Sequence, residues 1–270
     1  MMSGRADLGM VRVDDEDDAS RAARRELAMR VAAWGVHLYT AIGLVLAARM
    51  AVLLVRGGAE AFREAFVLML VASLVDATDG TLARKARVKS VLPGFDGRKL
   101  DDIIDFLTYT FLPLMLVWRA GLLPEGAEAW LILPLLASAD GFCQVEAKTD
   151  DGYFLGFPSL WNVVAFYLYV LQFPGWVAVA IVVALGLMTF VPSRYLYPSS
   201  KPGVLNRTSN LLGAPWCALL LIVMCRLPAG PSTAVDPVTW WMAAASLYFP
   251  LFYMAASWAV TLRLRKPRRA

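Results

Sequence analysis

The chain has 270 residues, of which 59% are hydrophobic and 18% are charged, and its formal net charge is +4. Long apolar runs recur from one end to the other, which excludes a soluble globular domain and predicts an integral membrane protein. The three cysteines, Cys143, Cys217 and Cys225, form no CxxC pair, so neither a disulfide framework nor a zinc site is predicted. No nucleic-acid partner is expected.

The two ends of the chain are polar and differ in charge. Residues 1–20 lack an apolar segment and include an acidic run at 14–18, which predicts a disordered, solvated tail rather than a cleaved signal peptide. Residues 21–30 form a basic amphipathic segment suited to an anionic membrane surface. Residues 263–270 form a basic tail, and we expect a polytopic membrane domain over 31–262.

The apolar runs predict an all-α membrane protein with about eight transmembrane helices. An even number of crossings places both termini on the same side. Nineteen Lys and Arg residues flank the spans on that side, against four on the other, so the positive-inside rule makes the termini and the loop 84–99 cytoplasmic. The predicted spans are approximately 31–55, 65–82, 100–118, 128–144, 158–173, 175–191, 209–225 and 238–262.

Four carboxylates mark the junction between the second and third predicted spans. Asp76 and Asp79 are three residues apart, and Asp101 and Asp105 are four residues apart. Residues at these spacings lie on one face of a helix. If the two helices are antiparallel neighbours, both pairs meet at the cytoplasmic ends of their spans.

Converging acids at a membrane require a counter-charge. A single charged residue at the centre of a transmembrane helix costs about 2.5–3.5 kcal/mol on insertion scales, and neighbouring acids repel one another. Oxygen-only ligands favour Mg²⁺, Mn²⁺ or Ca²⁺, and two such ions form a clamp for phosphoryl or phosphatidyl transfer. The structural alternative is a helix-end charge cluster neutralised by nearby Lys and Arg. It leaves unexplained the accompanying Gly80, Ala83, Arg84 and Gly97.

Written out, the stretch from Asp76 to Asp105 reads D-x2-D-G-x2-A-R-x12-G-x3-D-x3-D. It resembles the signature of the CDP-alcohol phosphotransferase family. The gap of twelve residues between Arg84 and Gly97 is similar to that of the bacterial phosphatidylcholine synthase branch. The stretches 101–113, 146–162 and 194–198 support this branch, and the resemblance covers nearly the whole chain from about residue 30.

The resemblance implies transfer of a phosphatidyl group from CDP-diacylglycerol to choline, giving phosphatidylcholine and CMP. It implies a divalent cation, Mn²⁺ or Mg²⁺, as two ions held by Asp76, Asp79 and Asp101, with Asp105 as general base and further ligand. Asp102 points about 100° away from Asp101 around the helix and is not predicted as a ligand. A homodimer within the lipids of the bacterial inner membrane is also implied. The predicted contacts to nucleotide and phosphate are Gly80, Ala83, Arg84 and Gly97.

The polar segment 141–162 mixes carboxylates with aromatic residues. Aromatic faces together with an acid are suited to a quaternary ammonium group, which makes Glu146, Tyr153, Phe157 and Trp161 candidate choline-binding residues. An interfacial aromatic belt with solvated charges is the alternative.

Three other functions remain open from the sequence. The first is the same chemistry with another acceptor alcohol, such as serine, inositol or glycerol phosphate, because the four-Asp site is shared within the family. The second is an ion-coupled transporter, which predicts acids near the bilayer midplane and an internal repeat. The third is a catalytically inactive scaffold, although all the motif positions are filled.

Overall fold

The computed structural model describes residues 10–144, 152–196, 203–229 and 234–265, and these are almost entirely helical. Helix α4 continues through a π-helical segment, Phe106–Phe111, into α5, and a 3₁₀ turn, Glu128–Leu131, precedes α6. The helices are α1 Met10–Arg56, α2 Ala59–Lys85, α3 Val88–Val91, α4 Gly97–Asp105, α5 Leu112–Arg119, α6 Ile132–Cys143, α7 Trp161–Leu171, α8 Gly175–Thr189, α9 Val204–Arg226, α10 Pro237–Ser246 and α11 Tyr248–Arg265.

Within the described residues, four helical segments are long and apolar enough to cross a membrane: Asp17–Arg56, Ala59–Lys85, Val204–Arg226 and Pro237–Leu264. These segments confirm the predicted helical membrane protein. The other four predicted spans coincide with helical segments that are shorter or interrupted. Eight crossings therefore stay a prediction.

Helix α1 begins at Met10, within the stretch for which the sequence predicts a disordered tail. The acidic run thus lies on the first turns of a helix that continues into the apolar span. Two ion pairs at helical spacing lie at or beyond the end of this run. Nη1 of Arg21 is 3.9 Å from Oδ1 of Asp18, and Nη1 of Arg30 is 3.8 Å from Oε1 of Glu26. Exposed pairs of this kind add only a few tenths of a kcal/mol each.

Helices α1 and α2 form an antiparallel hairpin. Gly57 and Gly58 join them, and both have positive φ angles, 69° and 90°, which glycine adopts without steric cost. Near this turn the guanidinium of Arg49 donates from Nε and Nη2 to Oε1 of Glu64, at 2.9 and 2.7 Å. Phe66 is among the fully buried side chains of the hairpin.

The chain reverses again between α2 and α4, which brings α4 back along α1. The carboxylate of Asp96 caps α4 by accepting the backbone N–H groups of Arg98 and Lys99, at 3.2 Å each. Gly43 of α1 has no Cβ at the place where Cγ2 of Ile104 packs. Helix α4 therefore lies close against α1, which also packs along α2.

The remaining described helices surround this core. Phe166 of α7 packs edge-on against Phe66 of α2, with ring centroids 5.5 Å apart. Two short strands, β1 Tyr153–Leu155 and β2 Arg194–Leu196, pair antiparallel with Tyr153 opposite Leu196. The hydroxyl of Tyr253 in α11 donates to the carbonyl of Leu196 at 2.9 Å, which ties the strand pair to the last helix.

Candidate active site

Three carboxylates from two helices converge at the end of the α1–α2 hairpin far from its turn. One oxygen from each of Asp76, Asp101 and Asp105 lies within 4.8 Å of the others. Asp76 lies on α2, whereas Asp101 and Asp105 lie one helical turn apart on α4. Both α2 and α4 pack against α1, and this arrangement brings the acids together.

The fourth carboxylate, Asp79, lines the same small cavity but is more deeply buried, with 6% of its surface exposed. The hydroxyl of Thr40 on α1 donates to its Oδ2 at 2.7 Å. Gly43 and Ala72 also line the cavity. All four predicted acids therefore contribute to one cavity, and α1 supplies part of its wall.

A hydroxyl group also donates to Asp76, and it comes from the π-helical segment. The hydroxyl of Tyr109 donates to Oδ2 of Asp76 at 2.9 Å. Asp102 is not among the residues that line the cavity, and its Oδ2 lies 4.0 Å from Nε of Arg98. Neither Thr40 nor Tyr109 was predicted from the sequence, although Tyr109 follows Asp101 and Asp105 at the same four-residue spacing.

The chemistry of this donor set fits a hard divalent cation. Its ligands are carboxylate oxygens, and Mg²⁺ and Mn²⁺ favour such oxygen-rich sites. Carboxylates this close repel one another unless positive charge lies between them. Asp76, Asp101 and Asp105 are placed to share one ion, and Asp79 is placed on the wall of the same cavity.

The residues predicted to contact nucleotide and phosphate occupy the last turns of α2 and the start of α4. Gly80 directly follows Asp79 and is half-buried. Ala83 packs with Ala33, Val88 and Leu92 in a small apolar cluster. Arg84 is exposed, and its Nη2 donates to Oγ1 of Thr81 at 2.9 Å.

Gly97, the first residue of α4, lies against a side chain of α1. A Cβ added to Gly97 would lie 2.5 Å from Cε1 of His37. The sequence predicts that this glycine lets the nucleotide approach the backbone. In the structure a protein side chain occupies the space that the glycine leaves, and the nucleotide contact stays a prediction.

The predicted choline-binding residues lie in two different settings. Tyr153 is half-buried in β1, whereas Phe157 and Trp161 belong to the core, with ring centroids 5.5 Å apart. Trp161 is fully buried, and its indole N–H donates to Oγ of Ser138 at 2.8 Å. Glu146 lies outside the described residues. A choline-binding role for these four residues stays a prediction.

Fold and site together define an α-helical membrane protein with an acidic, oxygen-lined cavity between α1, α2 and α4. The sequence profile described as CDP-alcohol phosphatidyltransferase matches residues 37–188. This match spans more than half of the chain and includes all four acids. The chain belongs to the CDP-alcohol phosphatidyltransferase family.

Several curated relatives carry the name phosphatidylcholine synthase. The protein from Pseudomonas aeruginosa is 44% identical over 167 residues, which cover 62% of this chain and 69% of the relative. The protein from Bradyrhizobium diazoefficiens is 37% identical over 224 residues, which cover 80% of this chain and 81% of the relative. The protein from Mesorhizobium japonicum is 35% identical over 197 residues, which cover 72% of this chain and 71% of the relative.

Proposed function

We propose that this protein is a CDP-diacylglycerol–choline O-phosphatidyltransferase, which makes phosphatidylcholine and releases CMP. The observation that carries the proposal is the convergence of Asp76, Asp101 and Asp105 within 4.8 Å, in a chain whose relatives are named phosphatidylcholine synthase. The family gives the reaction type, and the names of the relatives favour choline over serine, inositol or glycerol phosphate.

In this proposal Asp76, Asp79, Asp101 and Asp105 hold two divalent ions, Mg²⁺ or Mn²⁺. When bound, such ions neutralise charge on the pyrophosphate and on the departing CMP. Gly80, Ala83, Gly97 and Arg84 contact the nucleotide and its phosphates, where a guanidinium makes charge-assisted hydrogen bonds.

Asp105 acts as the general base. It takes the hydroxyl proton of choline as the choline oxygen bonds to the β-phosphorus and the bond from that phosphorus to CMP breaks. The displacement is direct, without a phosphatidyl-enzyme. Exchange of labelled CMP into CDP-diacylglycerol in the absence of choline would contradict it.

The proposed topology puts the site where both kinds of substrate can reach it. Eight crossings with cytoplasmic termini place the acids at the cytoplasmic ends of spans two and three, in the bacterial inner membrane. The water-soluble choline and CMP then exchange with the cytoplasm, while the acyl chains stay in the bilayer. We further propose a homodimer through membrane helices, on the resemblance to the family.

The test uses purified protein in detergent with CDP-diacylglycerol and Mn²⁺, and offers choline, serine, inositol, glycerol 3-phosphate and ethanolamine separately. We expect CMP release and lipid product with choline, and loss of both on chelation. Asp105→Asn should reduce the rate about 10²–10⁴-fold, the usual contribution of general-base catalysis. Asp140→Asn is the matched control, because Asp140 is an exposed carboxylate on α6 that accepts from Gln144 at 2.8 Å.

Each outcome discriminates between functions. Product with another alcohol would keep the metal site and replace choline as the acceptor. CMP release with none of the alcohols would favour the transporter or the inactive scaffold.

A further inference from the structure

We propose that Tyr109 and Thr40 are positioning residues that hold two of the metal-binding carboxylates in place. This inference rests on the metal site of the proposed function. Tyr109 donates to Asp76 at 2.9 Å and Thr40 donates to Asp79 at 2.7 Å. The two acids lie on α2, whereas their donors come from the π-helical segment and from α1. Each carboxylate is thereby tied to a different neighbouring helix.

The chemistry of the donors suits this role. Both are neutral hydroxyls, so they fix the rotation of a carboxylate without cancelling the negative charge that a cation requires. A lysine or arginine in the same place would compete with the ion for that charge. Groups that hydrogen-bond to metal ligands orient them, and their loss costs about 10–100-fold in metal affinity or activity.

The π-helical segment explains how Tyr109 reaches Asp76. Asp101, Asp105 and Tyr109 follow one another at four-residue steps, and each such step drifts about 40° around an α-helix. The wider π turn reduces this drift, so the phenol stays on the face that carries the acids. The N–H of Leu112 bonds to the carbonyl of Leu107, five residues back.

A proline accounts for the π turn in the sequence. Pro113 has no N–H for the carbonyl of Tyr109, and its ring would crowd that carbonyl in a regular α-helix. A wider turn before the proline relieves this crowding. The residue that supplies the hydroxyl and the residue that shapes the turn are thus four positions apart.

A hydrogen bond also joins α2 to α7 close to Asp76. Oγ of Ser73, one turn before Asp76 on α2, accepts from Nδ2 of Asn162 at 3.2 Å. Oγ of Ser73 itself donates to the carbonyl of Met69 at 3.0 Å. The stretch of α2 that carries Asp76 is thus also tied to α7.

The experiment measures Mn²⁺ binding directly, by electron paramagnetic resonance of purified protein without substrate, together with activity as a function of Mn²⁺. We expect Tyr109→Phe and Thr40→Val to weaken Mn²⁺ binding about 10–100-fold. Activity should recover at high Mn²⁺, since the ligands themselves remain. Thr40→Ser keeps the hydroxyl donor and should bind Mn²⁺ as the wild type does. If Tyr109→Phe fails to fold, the comparison of Thr40→Val with Thr40→Ser still tests whether a hydroxyl donor to a carboxylate is required.

The matched control is Tyr39→Phe. Tyr39 adjoins Thr40, and its phenol hydrogen-bonds Oγ1 of Thr78 at 2.8 Å rather than a carboxylate. Its loss should leave Mn²⁺ binding unchanged. Equal Mn²⁺ affinity in the wild type, Tyr109→Phe and Thr40→Val would overturn the inference alone, and so would an activity loss that Mn²⁺ does not restore. Absence of Mn²⁺ binding to the wild type would instead overturn the proposed metal site, and the inference with it.

Discussion

Replacing Gly97 by alanine separates two reasons for a glycine at this position. An added Cβ would lie 2.5 Å from Cε1 and 3.0 Å from Nδ1 of His37, whereas carbon atoms in contact are normally about 3.5–4.0 Å apart. His37 has little room to give way, because it is 6% exposed and its ring lies 4.3 Å from that of Phe95. The substitution therefore pushes α4 away from α1.

The size of the effect follows from this contact. Overpacking of a core lowers stability by about 1–3 kcal/mol, and the better helix propensity of alanine offsets at most about 1 kcal/mol of this loss. A net loss of about 1–2 kcal/mol lowers the unfolding midpoint of a domain of this size by roughly 2–8 °C. Thermal unfolding in detergent measures this shift for Gly97→Ala, His37→Ala and the double variant. The double variant should be more stable than the sum of the single effects predicts.

Gly94→Ala is the matched control for Gly97→Ala. Gly94 lies three residues earlier, and an added Cβ there meets no atom within 4 Å, so its stability and activity should be unchanged. The reasoning is refuted if Gly97→Ala unfolds at the wild-type temperature. Lost activity in Gly97→Ala at unchanged stability, not restored by His37→Ala, would instead support the nucleotide contact predicted from the sequence.

Two further predictions concern contacts outside the carboxylate cluster. Trp161→Phe should lower the unfolding midpoint and leave the KM for choline unchanged, because the fully buried indole donates to Ser138; a raised KM at wild-type stability would instead place Trp161 in the choline site. Arg49→Met or Glu64→Leu alone should destabilise the protein more than the two together, since both residues lie in segments apolar enough to cross a membrane, where an unpaired charge is costly. Unfolding midpoints of the three variants test this, and additive losses would contradict it.

The four acids were predictable from the sequence because helical spacing is a local property. Spacings of three and four residues put each pair on one face, and the apolar runs on either side place the pairs at helix ends. Meeting of the pairs required antiparallel neighbours, which spacing alone does not determine. The structure brings the pairs together through the connection from Ala86 to Asp96, which includes α3, and through the packing of α2 and α4 against α1.

The residues that hold the acids were not predictable in the same way. Thr40 and Asp79 are 39 residues apart, and Tyr109 and Asp76 are 33 apart. Such contacts depend on the rotation of each helix about its own axis. A single threonine in an apolar run does not by itself indicate a site, since its hydroxyl can hydrogen-bond to the backbone of its own helix. Thr108 does so, donating to the carbonyl of Ile104 at 3.0 Å.

The candidate choline residues show the limit of composition as a guide to function. An aromatic cage and an aromatic core use the same side chains, and the sequence of 153–161 fits both. Burial separates the two settings. Phe157 and Trp161 pack inside the protein, and Tyr153 stays half-buried on a strand.

The arrangement of charges along the α1–α2 hairpin explains how a repulsive site can persist in a membrane protein. Near the turn, Arg49 and Glu64 attract each other across the two helices. Asp76 lies twelve residues beyond Glu64, which is about 18 Å along a helix, so this ion pair does little to offset repulsion among the acids. At that far end the helices are joined instead by Thr40–Asp79 and Tyr109–Asp76. The donors in these hydrogen bonds are neutral hydroxyls. They hold the helices in register and leave the net negative charge that a divalent cation requires.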